Sequence, residues 1–270
     1  MKKTERFEFG VNWESYLKRI TEENIIFAEN SLKSTLKLEH MNDYLFLDIG
    51  SGSGLFSLAA RRLGATVESF DYDIVSVRCT SELKRRYYYD DDKWNIFHGD
   101  ILDDEFVSNH FGKIDIVYSW GVLHHTGDLW HALENACACV CDKGYLWVAL
   151  YNDQGWRSKR WAKIKQRYSS GGWLMKKAML VLTGFLLTSF YIRDDMLNHG
   201  DVFYRFKKKN KTRGMLVSND LTDWAGGFPF QVTKPDEVVA FCVHRGFMLS
   251  HLVTQGKGHG CNEFVFRKTC

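Results

Sequence analysis

The segment Asp48-Ile-Gly50-Ser-Gly52-Ser-Gly54 has the residue types and spacing to bring a backbone close to a ligand. It follows the apolar run Tyr44–Ile49 (YLFLDI) and opens a helical stretch. Glycines at such a junction permit a tight turn and a close approach. A dinucleotide loop wants Gly-x-Gly-x-x-Gly/Ala. Counted from Gly50, the third position is Leu55; counted from Gly52, it is Ser57. No Gly-Lys-Ser/Thr is present, so the phosphate-cradling loop of nucleoside triphosphatases is excluded. An acidic residue about 20 positions on, ending a second strand, holds ribose hydroxyls in folds of this kind. Asp71 stands there, in VESFDYD, with Asp73 as a second candidate. Asp100, in HGDIL, follows a third strand and is placed to accept a hydrogen bond from an adenine amino group.

These residues need a sheet whose strands all deliver their carboxyl ends to one edge. The sequence supplies one. Strands are predicted at 44–49, 66–70, 95–98, 114–119 and 144–151, and helices at 54–63, 74–88 and 128–140. Strands alternating with helices mean a parallel sheet covered on both faces, an α/β fold. The alternation breaks at Asn152 and resumes with a helix at 236–245 and strands at 248–254 and 262–267. Three parts follow: an N-terminal helical cap (1–43), a ligand-binding domain (44–152 and 234–270) and a largely helical insertion after the fifth strand (153–233).

Composition narrows the class. The chain has 270 residues, enough for one large α/β domain with an insertion. Thirty-six basic side chains against 33 acidic ones leave a net charge of only +3, which gives no strong argument for nucleic acid as the partner. Seven cysteines in no disulfide pattern suit a reducing, cytoplasmic setting, and the first twenty residues lack the apolar core of a secretory signal. Cys137, Cys139 and Cys141 lack zinc-knuckle spacing and read as small apolar helix residues, so no metal is expected.

The loop Asp48-x-Gly50-x-Gly52-x-Gly54, Asp71, Gly99-Asp100 and the stretch DIVYSWGVLHHTGD together resemble the class I S-adenosylmethionine-dependent methyltransferases. The resemblance covers 44–152 and resumes over 234–267. It implies a Rossmann-like seven-stranded sheet, mostly parallel with an antiparallel last strand. It implies S-adenosylmethionine as cofactor and S-adenosylhomocysteine as product. It places Asp48, Gly50, Ser51, Gly52 and Gly54 at the methionine end. Asp71 and Tyr72 fall at the ribose, Asp100 and Ile101 at the adenine, and Ser119 and Trp120 beside the cofactor. Within the superfamily the arrangement looks like small-molecule methyltransferases, with ubiquinone-biosynthesis O-methyltransferases as a distant comparison.

The loop after the fourth strand reads Ser119-Trp-Gly-Val-Leu-His124-His125-Thr126. It lacks the Pro-Pro of adenine N-methyltransferases, and no cysteine follows a proline, as a cytosine or uridine C5 nucleophile would. What remains favours an oxygen acceptor, or a nitrogen of a small molecule; a hydroxyl on a quinone-like, phenolic, lipid-like or sugar acceptor is the leading expectation. A hydroxyl must lose its proton, and His124 and His125 are the candidate bases; either could instead cap the following helix or bond a carbonyl. Two alternatives stay open: an RNA methyltransferase, and a partner protein that binds the cofactor without turnover.

Phe9, Trp13 and Tyr16 share one helical side, as core packing or as a lid that would bring Trp13 to the cofactor. In the insertion, basic stretches at 155–167 and 206–213 flank the apolar run 178–192. That run is shorter than the ~20 residues that span a bilayer. A helix packed over the active site is the expectation, with peripheral membrane contact through 173–192 as the alternative. The aromatic loop 223–230 is expected to help form the acceptor pocket.

Overall fold

The apolar runs form seven strands: β1 (Leu45–Ile49), β2 (Thr66–Asp71), β3 (Trp94–His98), β4 (Ile114–Trp120), β5 (Val140–Tyr151), β6 (Phe247–Val253) and β7 (Cys261–Lys268). In this computed structural model they build one sheet in the order β3-β2-β1-β4-β5-β7-β6. Residues 6–7, 9–201, 225–256 and 260–269 are described. The first five strands run parallel, with Asp48 opposite Ser69 on one side and Tyr118 on the other. β7 lies antiparallel between β5 and β6, as the resemblance implied. The strand order reverses between β1 and β4, the crevice where open α/β sheets bind ligands.

Helices cover both faces. α1 (Gly10–Leu17), α2 (Glu22–Leu36), α3 (Leu55–Arg62) and α4 (Ile74–Tyr87) lie with one core, built around Phe46, Trp94 and Trp147. α5 (Asp104–His110), α6 (Leu129–Cys139) and α9 (Pro235–Val243) lie with the other, around Leu47, Leu133 and Phe264. Short polar caps fix where these helices start. The Asp73, Asp103 and Asp128 side chains accept from the first-turn amides of α4, α5 and α6. Thr21 and Asn24 form a reciprocal cap on α2.

The structure departs from the sequence expectations at three places. α5 was not foreseen: DEFVSNH is only seven residues long, too short for a clear period. β5 starts at Val140 rather than 144, so Cys141 is a strand residue and only Cys137 and Cys139 are helical. The apolar run 178–192 is part of a 27-residue helix, α8 (Trp173–His199), which packs on α7 (Trp156–Ser170). One face of α8 is open to solvent, with Leu174, Val181 and Phe185 72%, 74% and 69% exposed, while Thr183 and Asp195 are buried. Among the described residues no helix is long and apolar enough to cross a membrane. The basic stretch 206–213, residues 223–224 of the aromatic loop and residues 258–259 lie outside the described residues.

Candidate active site

The chain leaves β1 at Ile49 and turns into α3 through three left-handed glycines: Gly50 (φ 75°), Gly52 (φ 56°) and Gly54 (φ 80°). Two of these positions are also crowded. A Cβ on Gly50 would stand 2.5 Å from the Val122 methyls, and one on Gly52 2.8 Å from the Trp13 indole. The Gly50 and Ser51 amides donate to the Phe70 carbonyl at 2.8 and 3.1 Å, tying the loop to β2. The Ser51 hydroxyl meets the Thr80 hydroxyl of α4 at 2.9 Å.

Asp48 ends a directional chain of hydrogen bonds. Trp94 Nε1 donates to Ser69 Oγ at 2.9 Å, and Ser69 and Ser57 hydroxyls meet at 2.8 Å. Ser57 Oγ donates to Asp48 Oδ2 at 2.5 Å. An indole only donates, so the protons of the chain all point toward Asp48. Burial pushes the Asp48 carboxyl up to about 7; the Ser57 bond works against that rise and the Asp71 charge adds to it. Asp71 accepts from the Gly52 amide (3.0 Å) and the Asp73 amide (2.8 Å), and burial pushes it up to about 6. Its oxygens keep lone pairs for ribose hydroxyls. A buried carboxyl, Asp48, that feels the charge of the half-buried Asp71 suits a ligand that brings positive charge of its own.

A cavity of about 120 Å³ opens beside the loop. Asp48, Gly50, Ser51 and Ser53 form one side, and Trp13, Tyr16, Phe27, Leu55, Phe56, Tyr118 and Trp120 the rest. The structure thus gathers Trp13, Asp48, Gly50, Ser51 and Trp120 around one space. Gly52, Gly54 and Asp71 shape the loop beside it. Ser119 and Ile101 do not reach the cavity. Ser119 is fully buried and donates to the Ile49 carbonyl at 3.2 Å, and Ile101 packs in the core. Tyr72 and Asp100 face Arg6, whose place here no local pattern along the chain signals: its guanidinium bonds Asp100 from 94 positions away. Phe27, Phe56 and Tyr118 were equally unforeseen, because aromatics at helical or strand spacing read as core.

His124 and His125 sit on a 3-10 turn, Leu123–His125, after β4. His125 Nδ1 lies 2.8 Å from the Pro229 carbonyl, so Nδ1 carries the proton and the Nε2 lone pair is left over. His124 is fully buried; its Nδ1 accepts from the Tyr151 amide at 3.3 Å. Burial, then the nearby Lys165 cation, lowers His125 to about 3. Burial first, then His125 and Lys165, holds His124 well below its ordinary value. Both are neutral imidazoles at physiological pH. Lys165 itself is fully buried on α7, 4.9 Å from the Phe230 ring.

Among the described residues no three His, Cys, Asp or Glu side chains gather as a metal site. Cys137 and Cys139 pack in the core, and Cys141 bonds Asp115.

Solved structures share this architecture. Magnesium protoporphyrin IX methyltransferase from Synechocystis PCC 6803, with SAH bound, aligns with a TM-score of 0.55 at 12% identity, covering 96% of this chain and 94% of that one. The Haloferax volcanii complex of the Trm112 methyltransferase activator with a methyltransferase gives 0.54 at 14% identity, covering 99% and 100%. An O-methyltransferase family protein from Burkholderia thailandensis gives 0.51 at 10%, covering 91% and 57%. At these identities the likeness is one of fold. No curated protein sequence matches. The fold and the glycine loop define a class I S-adenosylmethionine-dependent methyltransferase. The sequence model of the methyltransferase-domain family matches residues 29–193, and the chain belongs to that family. It is an enzyme whose cofactor is S-adenosylmethionine.

Proposed function

We propose that this methyltransferase acts on a small molecule with an apolar, aromatic or lipid-like body, and methylates a hydroxyl on it. The cavity carries this reading: Phe27, Leu55, Phe56, Tyr118 and Trp120 form an aromatic and aliphatic wall directly against the glycine loop. Such walls bind flat or apolar ligands, and few polar groups are needed to orient them.

The cofactor supplies an activated methyl group on a sulfonium. Asp48 and the glycine loop hold its methionine end, and two carboxyls, the buried Asp48 and the half-buried Asp71, offset its positive charge. Asp71 takes the ribose hydroxyls, with Tyr72 and Asp100 around the adenine and Trp120 flanking the methyl. Trp13 closes the loop from the α1 side. Methyl transfer depends chiefly on holding donor and acceptor in line. His125 is the candidate base at Nε2; its low basicity suffices because the hydroxyl proton becomes strongly acidic as the new O–C bond forms. His124 fixes the turn through Tyr151. The same reading assigns 44–152 and 234–270 to the cofactor domain, 1–43 to a cap and 153–233 to the acceptor side.

The test is transfer of labelled methyl from S-adenosylmethionine into fractions of a native-source extract. Label in apolar metabolites supports the reading; label in small polar metabolites, or confined to RNA or protein, overturns it. Cofactor binding without label in any fraction would point to a non-catalytic partner protein.

A second reading concerns location. α7 exposes Arg157, Lys159, Arg160, Lys163 and Arg167, with Trp156, 66% exposed, among them, and Trp173 at the start of α8 is 66% exposed as well. Cations rimming exposed tryptophans and aliphatics fit peripheral contact with an anionic bilayer, with the enzyme on the cytoplasmic side. Flotation with phosphatidylserine vesicles, and its loss in a K159E/K163E variant, tests this; no flotation removes it.

A further inference from the structure

Arg6 stands where the adenine is assigned. Its guanidinium makes two bonds of 2.9 Å to the two Asp100 oxygens. Its Nε donates to the Thr126 carbonyl at 3.0 Å, and its Cζ lies 4.2 Å from the centre of the Tyr72 ring. A flat group with N–H donors along its edge therefore meets one carboxylate and one aromatic face. Adenine, with its exocyclic amino group, presents the same features. Stacked aromatic rings have centroids about 4.5–7 Å apart, so a guanidinium at the slightly shorter 4.2 Å occupies the layer a base would need.

The arm is anchored directly after Arg6. The Phe7 amide donates to the Phe228 carbonyl at 2.9 Å, and the Gly10 amide to Asp73 at 2.7 Å. The cavity beside the glycine loop stops short of this point: Tyr72 and Asp100 do not line it.

We propose that Arg6 is a built-in placeholder in the adenine subsite, so that cofactor binding and release of Arg6 from Asp100 are one exchange. The proposal rests on the cofactor-site reading above. Arg6 thereby sets the affinity for the nucleoside: every molecule bound must displace a bidentate ion pair whose arginine side chain is only 14% exposed.

Calorimetry with S-adenosylhomocysteine and limited trypsin digestion test it together. Arg6→Ala should tighten binding roughly tenfold, the scale of one charge-assisted pair removed from competition. Arg6→Lys, which keeps the charge but loses the planar fork, should fall between. In the wild-type enzyme, added S-adenosylhomocysteine should speed cleavage after Arg6 severalfold, read by mass spectrometry, and adenosine alone should do the same. If Arg6→Ala binds equally or more weakly and the ligand leaves cleavage unchanged or slows it, the placeholder is overturned while the cofactor site stands. If neither protein binds S-adenosylhomocysteine, both readings fall.

Discussion

Trp13 packs against Gly52 so closely that a Cβ on the glycine would stand 2.8 Å from the indole ring. One helix of the N-terminal region is therefore fitted to the backbone of the cofactor loop. Gly52→Ala meets this wall and also a φ of 56°, which costs a side-chain-bearing residue about 1–2 kcal/mol. The variant should lose cofactor affinity by tenfold or more while still unfolding cooperatively. Trp13→Ala in the same background should recover part of the affinity, because it removes the clash and leaves the backbone strain. Calorimetric titration of the two variants checks both statements.

Ser57→Ala should shift the pH dependence of cofactor binding. The Ser57 hydroxyl favours the ionised form of Asp48, which burial pushes up to about 7. Removing it raises that midpoint by about one pH unit, the scale of a hydrogen bond to a charged group. Affinity measured from pH 6 to 9 should rise later in the variant than in wild type, and Ser57→Thr should restore the profile.

Asp48→Asn should weaken cofactor binding yet stabilise the protein at high pH. The folded pKa of Asp48 lies above its unfolded value. Its contribution to stability is fully present below about pH 4 and is lost as pH rises through about 7. The asparagine escapes that loss. Unfolding free energies from urea curves should move in favour of the variant by about 1 kcal/mol per pH unit from pH 5 to about 7, and level off above that.

His125 works in the opposite sense. Its pKa is lowered to about 3, so its share of stability is present above about 6.5 and is lost as pH falls below that value. His125→Gln should flatten the acid side of the stability profile. For the same reason, turnover in wild type should show no titration near 6.5 from this residue. His125→Ala should lower kcat by about 10²-fold if Nε2 takes the proton, the lower end of general-base contributions.

The buried thiols should resist alkylation. Burial pushes Cys79 up to about 11 and Cys139 up to about 12, and the thiolate is the reactive form. Iodoacetamide at pH 8 should leave both unmodified in the native enzyme and label them in urea, as peptide mapping will show.

The sheet and the cofactor loop were legible because their signals are local. An apolar run, glycines at alternate positions and an acid about 20 residues on are all visible along the chain. Placement of Asp48, Gly50 and Trp120 at one cavity follows from strand order. Arg6 was invisible because its contacts depend on the path of an arm, which no period encodes. The cavity wall hid for a different reason: Phe56 and Tyr118 carry the same pattern whether they face a core or a ligand. α5 was lost to its brevity, and the reach of α8 to an apolar stretch that names only its middle.

The row Trp94–Ser69–Ser57–Asp48 also governs how Asp48 exchanges protons. A relay needs an acceptor at its far end, and an indole N–H offers none. The row is therefore a blind alley for proton traffic. Asp48 is only 3% exposed, so the route left to it runs through the cavity that its own carboxylate helps to line. A ligand seated there stoppers that route, and the protonation state present at the moment of binding is the one the enzyme keeps through turnover.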